Sequence, residues 1–76
     1  MSLKEQIKET LKNFESTSPD NFLKVLNQVK PHFKSKLTLD YLEGKMQKIA
    51  NLSDEVEKKK QCKALIPYLD WYLQGL

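Results

Sequence analysis

The sequence predicts an all-α fold, a small bundle of four helices, and three observations carry that expectation. Apolar residues recur at three- and four-residue spacing along nearly the whole chain, the period of amphipathic helices. Two glycines and three prolines leave little material for the tight turns that strand hairpins need. Segments such as Ser18-Pro19-Asp20 and Asp54–Glu57 also carry the residue types that open helices.

The first helix is expected over about residues 2–15. Leu3, Ile7, Leu11 and Phe14 share one face, while Lys4, Glu5, Lys8, Glu9 and Lys12 supply a solvated opposite face with weak i,i+3 pairs. Ser16-Thr17-Ser18 should end it, because their hydroxyls compete for backbone hydrogen bonds.

Ser18 can cap the second helix, Pro19 suits its first position, and Asp20 meets the positive end of its dipole. The expected span is about 19–34, kinked at Pro31, with Phe22, Val25, Leu26, Val29 and Phe33 in phase. A helix ending at Lys30 and followed by a separate turn is the competing reading.

Thr38 is expected to cap the third helix, about 38–51, whose Leu39, Leu42, Met46 and Ile49 form a packing seam. Gly44 lies opposite that seam, so either something approaches its backbone closely or it is incidental.

A break is placed at Asn51–Asp54, because one long helix would carry Lys60 and Lys63 onto the seam. Asp54 and Glu57 have capping-box spacing for the fourth helix, about 54–74, which Pro67 kinks or divides. This last segment organises the rest. Cys62, Leu65, Ile66, Leu69, Tyr72, Leu73 and Leu76 fall on one broad arc against which the other helices can pack.

Seventy-six residues make a single helical domain near the lower limit for a self-sufficient core. One cysteine excludes an intrachain disulfide and a cysteine-based zinc site, and makes a reducing cytoplasm the simplest location. The charged first ten residues hold no signal-peptide core, and no run approaches the length of a membrane span.

No cofactor, metal or catalytic motif is expected. His32 has no acid within a helical turn, Cys62 lies on the apolar arc, and the carboxylates alternate with lysines along solvated faces. The expectation is a non-enzyme.

Two binding readings remain. Trp71 lies off the apolar arc, with Ala64 on its side of the helix, and Val56 is a further candidate for that side. It is either a second core face or, with Tyr68, Tyr72 and Leu76 as a further candidate, an aromatic anchor for another protein or for a second copy of this chain. The anchor reading makes the protein a small regulator, inhibitor, immunity-type factor or assembly adaptor. The alternative is a nucleic-acid binder using Lys24, Lys30, Lys34 and Lys36. Against it, all thirteen basic residues are lysine, so the bidentate arginine contact to bases and phosphates is missing. A third reading is a self-associating structural protein.

Overall fold

Every regular element of the computed structural model, which describes residues 2–75, is helical. Helix α1 spans Leu3–Lys12, α2 Pro19–Val29, α3 Lys36–Ala50, α4 Glu55–Lys63 and α5 Ile66–Leu73. The four expected helical segments are present, with the last divided into α4 and α5. Leu76 lies outside the described residues.

Side-chain caps set most of the starts. The amides of Glu5 and Asn21 donate to Ser2 Oγ and Ser18 Oγ, each at 3.2 Å, and Val56 N–H donates to Asp54 Oδ1 at 3.0 Å. Each serine satisfies an amide that has no intrahelical acceptor. The third helix starts earlier than expected. Ser35, not Thr38, is its cap, and accepts from Thr38 N–H at 3.3 Å. That shift brings Lys36 and Leu37 into the helix and gives the exposed face of α3 an extra apolar residue.

Two helix ends are tighter than the sequence predicts. After α1 the chain forms a 3₁₀ turn at Phe14–Ser16 instead of continuing as α-helix to residue 15. It still drives Phe14 into the core, edge-on to Phe22 at 5.5 Å. After Val29 a second 3₁₀ turn, Lys30–His32, replaces the expected kinked α-helix. Pro31 has no N–H to donate one turn back, and the winding tightens where the helix ends. Phe33 leaves this turn in an extended conformation and remains buried.

The break between α3 and α4 falls where expected. Between α4 and α5, Leu65 interrupts the winding with φ −98° and ψ 1°, and Pro67 occupies the first turn of α5, where its missing N–H costs nothing. Gly44 is incidental: a Cβ added there would meet nothing within 4 Å.

The core collects Ile7, Phe14, Phe22, Leu26, Val29, Phe33, Leu42, Ile49, Cys62, Leu65 and Leu69 from every helix and three of the links. Cys62 is fully buried, as a small apolar residue on the arc should be. Its thiol pKa is raised, by burial first, against lowering by Lys59 and Lys58 and a further rise from Asp20. Ile66, Tyr72 and Leu73 pack against this core only partly buried.

Helix α2 packs on α1, α4 and α5, and α5 also packs on α1, whereas the extensive helix contact of α3 is with α4. The radius of gyration, 11.8 Å, matches the roughly 11 Å of a compact chain this long. The smallest dimension is only 16 Å, about two helix layers with axes 8–10 Å apart. A slab this thin cannot cover an apolar helix on all sides. Because α3 is held mainly by α4, open grooves remain on its α2 and α5 flanks.

Candidate binding groove

Helix α5 reads IPYLDWYL, with Asp70 its one charged residue. Such a helix has more apolar perimeter than a two-layer slab can bury. Leu69 takes the core side and is fully buried, while Trp71 stays 48% exposed. The indole is nonetheless held in place. The Tyr68 ring lies edge-on to buried Phe33 at 5.8 Å on one side and to Trp71 at 5.2 Å on the other. Trp71 is thus the outermost ring of a chain rooted in the core, and edge-to-face contacts of this kind fix ring orientation.

Facing it across a gap of about 260 Å³ is the exposed side of α3. Tyr41, 56% exposed, and Lys45 form that wall, with Ala64, Pro67, Tyr68 and Trp71 opposite and Ile49 and Leu65 also lining the gap. Burial pushes the Tyr68 phenol pKa up, and the neighbouring Tyr41 phenol adds to the rise. The ammonium of Lys45 lies 5.5 Å from the centre of the Tyr41 ring, within cation–π range. One helical turn before Tyr41, Leu37 is 83% exposed. It extends the apolar strip along the outside of α3.

The structure therefore brings Tyr68 and Trp71 together and leaves Tyr72 apart. Tyr72 is half-buried, its ring 5.1 Å from the exposed imidazole of His32, and it does not line the groove. Ala64 does share the Trp71 side. Val56 does not: it stands 77% exposed over a separate hollow with Phe14, Pro19 and Lys59. The interruption at Leu65 lies between Val56 and Trp71, so the two do not share one continuous helix face.

Sequence reasoning missed Leu37, Tyr41 and Lys45. Their signal was present, since 37, 41 and 45 are four residues apart and off the 39–42–46–49 seam. A start at Thr38 leaves Leu37 outside the helix and hides the stripe.

The second candidate set lies elsewhere. Lys24, Lys34 and Lys36 are exposed, but Lys30 is half-buried and its ammonium lies 3.9 Å from Glu43. Lys24 and Lys30 share the α2–α3 groove with Asp20 and Glu43, so this surface alternates in sign. Of the α4 lysines, Lys58 lies 4.0 Å from Glu55. Glu55 and Lys59, four residues apart on α4, make no ion pair. Lys59 instead donates to the carbonyls of Phe14 and Thr17 and sits 4.5 Å from the centre of the Phe14 ring.

Among the described residues, no three His, Cys, Asp or Glu side chains are grouped to hold a metal, and no helix is long and apolar enough to cross a membrane. Set against protein-family models, curated proteins and solved structures, the chain matches none of them.

Proposed function

We propose that the protein is a non-catalytic binding module that docks another protein in the groove between α3 and α5, acting as a regulator, inhibitor or adaptor. One observation carries this reading. Trp71 is held edge-on by Tyr68 yet keeps about half its surface in water, across an open gap from an exposed tyrosine. Tryptophan and tyrosine dominate binding hot spots because they bury large area for few rotatable bonds. An anchor whose orientation is already fixed loses little further entropy on binding.

The chemistry elsewhere supports a binding role over catalysis. The one thiol is buried with a raised pKa, which suppresses the thiolate form a nucleophile needs. The imidazole of His32 packs on Tyr72 instead of on an acid.

Site-specific photocrosslinking in the cells that make the protein tests the proposal. A benzophenone side chain replaces Tyr41, or, as a control, the exposed Lys8 of α1. The expected result is one discrete protein adduct from position 41, lost when Trp71→Ala is added, and none from position 8. Equal labelling at both positions, or none at either, contradicts the docking surface.

A further inference from the structure

If the α3–α5 groove docks a protein, the charge on its walls constrains which one. The groove around Tyr41, Tyr68 and Trp71 contains one charged side chain, Lys45, and no carboxylate. Lys45 is half-buried, and among the described residues no carboxylate lies within ion-pair distance of its ammonium. Its neighbour there is the face of the Tyr41 ring. Asp40 and Asp70, adjacent in sequence to Tyr41 and Trp71, are exposed and do not line the gap.

Toward α4 the groove continues past Ile49 and Gln61 to Lys48 and Glu57. Glu57 is the one acid there, and its carboxylate already accepts from Gln61 Nε2 at 3.1 Å. The result is an apolar, aromatic slot whose walls carry Lys45 and, further along, Lys48 against the single carboxylate of Glu57, with no carboxylate in ion-pair range of Lys45.

A partner that covers the slot strips water from Lys45. Burying an unpaired cation is costly, whereas a carboxylate brought with the partner offsets that cost and forms a charge-assisted hydrogen bond. The geometry points to an acidic peptide segment as the occupant. It inserts a bulky apolar side chain between Tyr41, Tyr68 and Trp71 and sets a carboxylate against Lys45.

Two other occupants fit less well. A basic or quaternary-ammonium group would meet the aromatic rings but also the Lys45 charge. A second copy of this chain, joined about a two-fold axis, would bring two such lysines into one desolvated patch.

The test selects a random phage-displayed peptide library on the intact protein, with excess soluble Trp71→Ala protein present to remove sequences that bind elsewhere. The selected peptides are then titrated against wild type, Lys45→Glu and Lys8→Glu, the last carrying the same change in net charge at an exposed site on α1. The expected winners combine Asp or Glu with a Trp, Phe or Leu. Lys45→Glu should weaken them by about tenfold, or 1.4 kcal/mol, and Lys8→Glu by much less. Winners without an acidic bias, or equal losses in the two lysine variants, overturn the acidic occupant while leaving the groove as a docking site. Failure to enrich any Trp71-dependent sequence overturns the docking groove itself.

Discussion

Replacing Lys59 by methionine removes a tie between segments far apart in the chain while keeping most of the apolar stem. From α4 the ammonium reaches the carbonyls of Phe14 and Thr17, separations of 45 and 42 residues, and also covers the Phe14 ring. A hydrogen bond from a charged donor contributes about 1.5–3 kcal/mol when desolvated. Lys59 is only half-buried, and water can rehydrate both carbonyls in the variant, so about 1 kcal/mol for each bond is the appropriate scale. Loss of the cation–π contact adds about 0.5–1 kcal/mol. The expected total, about 2–3 kcal/mol, is large against the roughly 4–11 kcal/mol available to a chain of this length. Urea unfolding followed by circular dichroism reads it. With a slope of about 1 kcal/mol per molar urea, the midpoint should fall by roughly 2–3 M. Lys60→Met, at an exposed position on the same helix, serves as control. If the two variants unfold at the same midpoint, the long-range tie carries no stability and the reasoning fails.

Three further outcomes are expected. Gly44→Ala should raise stability by about 0.5–1 kcal/mol, because it improves helix propensity where the added Cβ meets nothing; a loss of stability would show that α3 is covered at that point. Leu69→Ala, at a fully buried site, should cost about 3–5 kcal/mol, a large share of the stability available to this chain, whereas a loss below about 1 kcal/mol would place α5 outside the core. For Cys62 the folded pKa lies above the unfolded value, so its contribution is fully present below about pH 8.5 and is lost as pH rises through the folded pKa. Wild type should therefore lose stability relative to Cys62→Ala above that point, and a constant difference between the two from pH 7 to 10 would contradict the burial of the thiol.

The helices were legible because their determinants are local. Apolar spacing marks Ile7, Leu26, Leu42 and Leu69 as inward-facing, and all four are fully buried. The break before α4 followed from the lysines that one continuous helix would have buried. Ser18-Pro19 gave the start of α2 for the same local reason.

What escaped depends on the competition between near-equal local solutions or on distant parts of the chain. Ser35 and Thr38 are both good caps, and three residues separate two quite different exposed faces for α3. Helical spacing likewise makes Lys59 an ideal partner for Glu55. Only the fold places two backbone carbonyls nearer to its ammonium. The groove itself was half legible: Trp71 stands out on α5, but the wall opposite it comes from α3, thirty residues earlier. Nothing in the period of one helix reveals its neighbour's outer face.

The central claim is that the aromatic wall of α5 is structured yet open to water until a partner covers it. Acrylamide quenching of the emission from Trp71, the chain's single tryptophan, tests this most directly in the free protein at low concentration. The structure predicts ready quenching, intermediate between that of a fully solvated indole and that of a core residue. A signal shielded from quencher would show that Trp71 is already covered, and would contradict the docking account.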